Sequence, residues 1–215
     1  MDQTALFTLS YGVFILGTEN NGAKNACIIN TCQQVASETP KVSISVLKTN
    51  LTNYMVGASK KFSISVLGKH ATLEQIAHFG FKSGRDKNKF EGITYETDSL
   101  GSPVIKEGAI ATLSCKVIEA IDLGSHTLFI GEVIEADKVD NEEPMTYAFY
   151  RDLKAGKVSY HSEKGDTIIQ PEEETVQYEC SVCHYIYDGE IPFEELPQDY
   201  TCPICGKPKS AFHKA

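Results

Sequence analysis

Two pairs of cysteines near the end of the chain restrict its fold more than any other feature of the sequence. Cys180 and Cys183 form one Cys-x-x-Cys pair, Cys202 and Cys205 form a second, and residues 184–201 separate them. Two such pairs can place four thiolates at the corners of a tetrahedron, which suits zinc or a single iron ion. On spacing alone zinc is favoured, because pairs about 15–20 residues apart are typical of zinc sites.

The residues around the two pairs favour iron instead. Six aromatic residues lie in this short segment: Tyr178, Tyr185, Tyr187, Phe193, Tyr200 and Phe212. A zinc site needs no such shell, whereas burial by apolar side chains helps to set the potential of an iron–thiolate centre. A unit this small cannot be held by its core alone, so we expect the metal to hold it together.

The segment resembles the rubredoxin family. The similarity rests on Tyr178, the Tyr-x-Tyr after the first pair, Leu196-Pro197-x-x-Tyr200, Cys202-Pro203-x-Cys205-Gly206, Lys209 and Phe212. His184 and Tyr200 stand where the family usually has a glycine and a tryptophan. The resemblance implies a metal-ribbon domain at residues 177–215 that binds one iron ion, with zinc as a possible substitute, through Cys180, Cys183, Cys202 and Cys205.

Charge and cysteine usage exclude some functions. The formal net charge is −9, and the end of the chain is especially acidic, carrying nine acidic residues against three lysines from Glu172 onward. Such a segment is a poor match for a nucleic-acid backbone and suits docking to a basic patch on a redox partner. The first residues lack the basic and apolar regions of a secretory signal or a membrane span, so we expect a cytoplasmic protein.

The rest of the sequence is rich in short strands. Residues 41–47 and 61–67 alternate apolar and polar side chains, as half-buried strands do. Asn21-Gly22 predicts a hairpin turn between strands at 11–18 and 26–30. Thr52 and Thr72 are predicted to cap short helices, and a third helix is expected at 146–155. This pattern predicts a mainly β barrel with added helices at residues 1–156, followed by a polar linker at 157–176.

The order of these segments resembles the flavin reductase-like family, in which a split β-barrel binds FMN. The similarity rests on residues 25–35 with Pro40, Lys48-x-Asn50-x-Thr52, residues 62–67, 79–90 and 126–133. The resemblance implies that the isoalloxazine lies along Asn30, Thr31, Cys32, Gln33 and Gln34. It places Lys48, Asn50 and Thr52 at the ribityl and phosphate end, with Ser83, Gly84, Arg85 and Lys89 as further phosphate ligands. The alternative for residues 82–89 is a solvated loop.

Several other positions have competing interpretations. A lone histidine such as His126 is more often structural than catalytic, but the resemblance implies that it faces the flavin and orients the nicotinamide or steadies charge. Buried cysteines are usually inert, and among Cys27, Cys32 and Cys115 only Cys32 falls in the flavin segment. Tyr147 is expected in the core, whereas Tyr150 and Arg151 could be core or reach a flavin across a dimer interface.

A flavin domain joined to such a metal module resembles the flavin reductase–rubredoxin fusions called high-molecular-weight rubredoxins. The resemblance implies a homodimeric enzyme that passes electrons from NADH or NADPH through FMN to iron and on to an acceptor protein. By family analogy, the acceptor is a flavodiiron protein that reduces oxygen or nitric oxide. Two alternatives stay open: a zinc-containing docking module without redox activity, and a reductase of free flavin or ferric chelates.

Overall fold

The computed structural model describes residues 8–158, 178–183, 185–187 and 193–214. The chain divides into two compact units, one built on Met1–Lys154 and the other containing Thr167–Ala215. Residues 159–176 of the predicted linker, and His184, lie outside the described residues. No helix in the described ranges is long and apolar enough to cross a membrane.

The first unit is built on one antiparallel sheet. Its seven strands are β1 (Phe14–Asn20), β2 (Ala23–Ile29), β3 (Cys32–Ala36), β4 (Lys41–Leu47), β5 (Lys61–Leu67), β8 (Ala109–Asp122) and β9 (His126–Lys138). They lie in the order β2-β1-β5-β8-β9-β4-β3, and β6 (Glu96–Thr97) pairs with β7 (Pro103–Val104) in a separate ribbon. Within the described residues β2 and β3 are the edges of the sheet, as expected of a split barrel, and the mainly β prediction is confirmed.

The first hairpin shows how local sequence determines register. Asn21 and Gly22 both have positive φ, 51° and 83°, which is the conformation of a type I′ turn. Asn20 therefore pairs with Ala23, and the register continues to Phe14 opposite Ile29. The hairpin predicted from the Asn-Gly pair is confirmed.

The two alternating segments differ in their surroundings. In β4 the side chains alternate between buried and half-buried positions, as predicted. In β5 the serines are buried as well, because the segment around β7 covers that face. Ser63 donates to the Pro103 carbonyl at 2.5 Å, and Ser65 accepts from the Ile105 amide at 3.2 Å. The prediction of β5 was right in position but missed this second buried layer.

Apolar side chains form two core clusters. One lies inside the curved sheet and includes Leu16, Ile44, Ile64 and Phe129. The second contains residues of β1, β2 and the helices, among them Ile76, Phe79 and Leu153 of the two later helices. The core of the barrel thus spans both faces of β1.

Three helices accompany the sheet in the described residues: α1 (Leu51–Ser59), α2 (Leu73–Gly80) and α3 (Tyr147–Lys154). Thr72 caps α2 by accepting from the Gln75 amide, as predicted. The cap of α1 was predicted wrongly, because Asn50 rather than Thr52 caps that helix, its side chain accepting from the Thr52 amide. Tyr147 packs against the second core cluster as predicted, and Tyr150 does so too.

The second unit is small and aromatic. Strand β10 (Tyr178–Cys180) pairs antiparallel with β11 (Phe212–Lys214), and 3₁₀ turns lie at Phe193–Glu195 and Lys209–Ala211. Phe193 is buried, with its ring centroid 4.3 Å from that of Tyr178 and 4.9 Å from that of Phe212. Tyr200, which replaces the usual tryptophan, meets Phe193 edge-on at 6.0 Å. These rings form the predicted apolar shell.

Candidate functional site

Four cysteine thiols converge in the second unit. Their sulfur atoms all lie within 4.8 Å of one another, with Cys180 Sγ 3.6 Å from Cys205 Sγ and Cys183 Sγ 3.4 Å from Cys202 Sγ. None of them is in a disulfide. A tetrahedral site with metal–sulfur bonds of about 2.3 Å has sulfur–sulfur edges of roughly 3.8 Å. The cluster therefore fits a single tetrathiolate metal ion.

Backbone hydrogen bonds hold the two cysteine hooks in shape. The Cys202 amide donates to the Lys207 carbonyl at 2.7 Å, and the Gly206 amide donates back to Cys202 at 2.8 Å. Gly206 has a φ of 69°, which few other residues adopt without strain. The Cys180 amide likewise donates to Tyr185 across the first hook. The sequence motif thus preorganises the thiols through its backbone.

The protonation of the thiols reflects burial and backbone donors. Burial raises the pKa of Cys205 to about 11 and raises that of Cys183 further. At Cys180 burial acts in the same direction, but the amides of Val182 and Cys183 hydrogen-bond to the sulfur, and the net pKa lies below the ordinary value. Amide donors to a ligating sulfur are among the groups that tune the potential of an iron–sulfur centre.

The two hooks expose the cluster on one side. The first cysteine of each hook, Cys180 and Cys202, is buried, whereas Cys183 and Cys205 are half-buried. Beside them the Val182 side chain is 49% exposed. The centre is therefore shielded on one side and approachable on the side of Cys183 and Cys205.

In the first unit, candidate flavin residues gather at the start of α1. Asn50 caps the helix, and Thr52 is buried there and accepts a 2.9 Å hydrogen bond from Asn25 Nδ2. The Arg85 guanidinium donates to the Thr49 carbonyl at 2.9 Å, which brings the loop of Ser83 and Gly84 to the same helix end. The structure therefore brings these predicted phosphate-end residues together.

Asn25, which sequence reasoning did not select, lies at the centre of this group. Its Oδ1 atom is buried and has no hydrogen-bond partner among the described residues. A Cβ atom added to Gly84 would lie only 2.1 Å from that oxygen. An unpaired buried acceptor beside a helix N-terminus and an arginine fits a ligand that carries hydroxyl and phosphate groups, as FMN does. Two sequence signals could have identified Asn25. It lies shortly after the Asn21-Gly22 turn, and it begins the family motif at residues 25–35.

The other predicted flavin residues lie along and beyond β4. Thr31 Oγ1 donates to the Ser45 carbonyl at 2.8 Å, and Cys32, Gln33 and Gln34 continue into the edge strand β3. Asn30, just before Thr31, is half-buried. At the far end of β4, Leu47 pairs with His126. Residues 32–34 and His126 thus lie on β3 and β9, the two strands that flank β4.

Three predicted polar residues already have protein partners. Lys48 Nζ lies 2.5 Å from Asp122 Oδ1, at the end of β8, and His126 Nδ1 lies 2.9 Å from Ser125 Oγ. Lys89 is 95% buried, and its ammonium donates to the Ala26 and Phe79 carbonyls at 2.9 and 2.8 Å. These two bonds give Lys89 a structural role, and the phosphate contact expected from the sequence stays a prediction.

The three thiols outside the metal cluster, those of Cys27, Cys32 and Cys115, are unreactive. Cys27 and Cys115 are buried in the first core cluster, and Cys32 packs against it. Burial raises the pKa of Cys32 to about 12, so its thiol is protonated at neutral pH. The residues in the flavin segment therefore include no activated cysteine nucleophile.

These two sites correspond to two known families. The sequence profile of the flavin reductase like domain matches residues 6–157, and that of rubredoxin matches residues 177–212. The chain belongs to the flavin reductase-like family and carries a rubredoxin domain after it. It is therefore a flavin-dependent oxidoreductase that transfers electrons by way of flavin and an iron centre.

Particular relatives agree with this assignment. The chain is 37% identical to a high molecular weight rubredoxin from Moorella thermoacetica over an alignment 229 positions long, covering 100% of both chains. It is also 37% identical over 157 residues to a ferric-chelate reductase (NAD(P)H) from Archaeoglobus fulgidus, covering 73% of this chain and 93% of that protein. The solved structure of flavin reductase PheA2 in its native state superposes with a TM-score of 0.58 at 27% identity, covering 68% of this chain and 92% of that one.

Proposed function

We propose that the chain passes electrons from NADH or NADPH through FMN to one iron ion at Cys180, Cys183, Cys202 and Cys205, and from there to an acceptor protein. The observation that carries this proposal is the preformed cluster of four thiols in the same chain as a flavin reductase-like barrel. A flavin reductase needs no such centre for its own reaction. A one-electron centre joined to a flavin gives the enzyme a protein-bound acceptor.

The proposed roles of the barrel residues follow from their positions. Bound FMN would supply the exchange between a two-electron hydride donor and a one-electron carrier. Residues 30–34 would lie along its ring, and Lys48, Asn50 and Thr52 would hold the ribityl and phosphate end. Ser83, Gly84 and Arg85 would complete the phosphate site, with Asn25 Oδ1 accepting from a hydroxyl group. His126 would orient the nicotinamide, its ring held by Ser125.

We expect electrons to leave the metal centre on its half-buried side. Cys183 and Cys205 lie there beside the exposed Val182, so a partner could approach the metal across a short apolar contact. The surrounding segment is acidic, which favours a partner with a basic rim. A flavodiiron protein that reduces oxygen or nitric oxide is the acceptor we propose.

The same proposal includes a homodimer in the cytoplasm. Its support is β3, an edge strand on which Gln33 and Gln34 are exposed and Val35 is 47% exposed. An edge strand with free backbone groups and an exposed valine is a natural surface for a second copy. The mass of the protein in solution, measured by light scattering, tests this part.

The central test is a spectroscopic titration of the purified chain. Iron and FMN should both be present, each at about one per chain, and anaerobic NADH or NADPH should bleach the flavin band and then the iron–thiolate band. In Cys205→Ser the iron band should be missing while the flavin is still reduced. A colourless protein that contains zinc after expression with ample iron would contradict the proposal and favour the docking module.

Reduction of ferric chelates or free flavin is a second candidate, because the Archaeoglobus fulgidus relative is named for the former activity. The barrel alone would be sufficient for that reaction. Cys205→Ser should then retain the full steady-state rate with ferric chelates. Both candidates predict this chelate rate, and they differ in the reduction of an acceptor protein, which the same substitution should abolish only if electrons leave through the metal centre.

A further inference from the structure

An ion pair lies beside the candidate phosphate end of the flavin site. Lys48 Nζ is 2.5 Å from Asp122 Oδ1, and the two side chains are 38% and 72% exposed. Asp122 is the last residue of β8, and its Oδ1 atom also accepts from the Gly124 amide at 2.7 Å. The lysine predicted to hold the flavin phosphate therefore has a carboxylate as its partner in this structure.

The main chain at Lys48 is fixed independently of this ion pair. The Lys48 amide donates to the Ser125 carbonyl at 3.0 Å, and the Asn50 amide donates to the Leu47 carbonyl at 3.0 Å. Both bonds join backbone groups, so neither depends on the charge of Asp122. Removal of that charge would therefore release the Lys48 ammonium without moving its backbone.

The surroundings of Lys48 favour an anion. Asn50, two residues later, caps α1, and the first amides and the dipole of a helix attract a phosphate. The Arg85 guanidinium donates to the carbonyl of Thr49, the residue next to Lys48, at 2.9 Å. A phosphate at this helix end and the Asp122 carboxylate would therefore compete for the same ammonium.

The ion pair is weak enough to open. Pairs between exposed side chains typically contribute about 0.2–1 kcal/mol, because water and salt screen them. A phosphate monoester carries about −1.5 to −2 charges at neutral pH and offers three strong acceptor oxygens, so it attracts the ammonium more strongly than one carboxylate does. Exchange of the carboxylate for phosphate is therefore favourable, but it yields less free energy than binding to an unpaired lysine would.

We propose that Asp122 is a displaceable partner of Lys48, that Lys48 exchanges this carboxylate for the flavin phosphate, and that Asp122 thereby lowers the affinity of the protein for FMN. This inference rests on the proposed function, because that function requires flavin at the start of α1. Asp122 is a positioning residue, since it acts through Lys48 and takes back the ammonium when flavin leaves.

Fluorescence titration of the flavin-free full-length protein with FMN and with riboflavin tests the inference. Asp122→Asn keeps an oxygen for the Gly124 amide and removes only the charge, so FMN affinity should rise about fivefold, or about 1 kcal/mol. The affinity for riboflavin, which has no phosphate, should not change. Asp137→Asn removes the same charge at an exposed position toward the other end of the β8–β9 hairpin, and it should bind FMN as the unchanged protein does.

A double variant separates exchange at Lys48 from direct repulsion between Asp122 and the phosphate. Lys48→Met should weaken FMN binding, and adding Asp122→Asn to it should change the affinity no further. A fivefold gain in the double variant, an equal gain with riboflavin or in Asp137→Asn, or an unchanged FMN affinity in Asp122→Asn would each overturn the inference and leave the proposed function intact. A full-length protein that binds no FMN would contradict the proposed function, and this inference would fall with it.

Discussion

The side-chain amide of Asn25 donates a 2.9 Å hydrogen bond to Thr52 Oγ1 and thereby joins β2 to the first turn of α1. Both residues are buried, so water cannot replace either partner. Because the bond positions the Oδ1 atom of Asn25 toward Gly84, it connects the stability of the barrel to the shape of the candidate flavin site.

Thr52→Val should lower the free energy of unfolding by about 1–3 kcal/mol, because it leaves the buried Asn25 amide without an acceptor. Thr49→Val, at an exposed neighbouring position, is the control and should change it by less than about 0.5 kcal/mol. Urea unfolding followed by far-ultraviolet circular dichroism measures both. Equal stability of the two variants would refute the structural importance of the bond.

Gly84→Ala should reduce FMN affinity by about tenfold, since the new methyl group would displace Asn25 Oδ1, and one lost hydrogen bond is worth about 1 kcal/mol or more. The flavin-to-protein ratio after gel filtration and a flavin fluorescence titration measure the loss. Gly57→Ala in α1 is the control, because its Cβ meets nothing closer than 4.0 Å. That change should leave flavin affinity intact and stabilise the helix by up to about 1 kcal/mol.

Lys89→Met should destabilise the barrel by about 2 kcal/mol or more, because two buried carbonyl groups lose their donor. Lys87→Met, in the same loop but exposed, should leave the unfolding free energy within about 0.5 kcal/mol of the parent value. If Lys89 instead serves mainly as a phosphate ligand, its substitution will weaken FMN binding without changing the stability of the flavin-free protein.

Removal of the metal should unfold the second unit and leave the barrel folded. The unit has too small a core to persist alone, so the tyrosine near-ultraviolet circular dichroism from its stacked rings should collapse on chelation under denaturant-free conditions. Far-ultraviolet signals of the barrel should persist. Retention of the near-ultraviolet signal after complete metal loss would show that the aromatic shell is sufficient by itself.

Acid should weaken the barrel partly through Glu19. Hydrogen bonds from Lys61 and the Gly22 amide hold the pKa of Glu19 below its ordinary value of 4.5. A carboxylate with a lowered pKa in the folded state contributes stability that is present above the unfolded pKa and is lost as the pH falls through the folded value. The urea concentration at the midpoint of unfolding should therefore fall less steeply in Glu19→Gln than in the unchanged protein as the pH is lowered from 5 to 3. Glu38→Gln, on an exposed turn, should follow the parent curve.

Patterns among residues close together in the sequence predicted several elements of the fold and the metal site. The cysteine spacing predicted the thiol cluster, Asn21-Gly22 predicted the first hairpin, and Thr72 predicted the start of α2, because each is determined by neighbours a few residues away. The interior bonds of Lys89 could not be predicted in this way. Its partners at Ala26 and Phe79 come from distant segments, and a lysine among charged residues normally indicates a solvated loop.

The candidate flavin site could also be predicted only in part from local sequence. The family motif predicted Asn50, Thr52 and Gly84 as flavin ligands, and the structure brings these three residues to the start of α1. Their binding of flavin stays a prediction. The motif did not reveal that β3 is an edge strand or that Asn25 has an unpaired acceptor, because both depend on strand order. Outside hairpins such as β1–β2, local sequence contains little information about which strands become neighbours.

The bonds of Lys89 have a consequence for protein engineering. Its ammonium fastens the end of residues 82–88 to β2, and the Phe81 amide fastens their beginning to the last turn of α2 at Ala77. A segment anchored inside the protein at both ends can exchange its intervening side chains without disturbing the fold. The positions of residues 82–88 other than Gly84 and Arg85 therefore form a replaceable cassette, which a designer could vary while keeping the barrel unchanged.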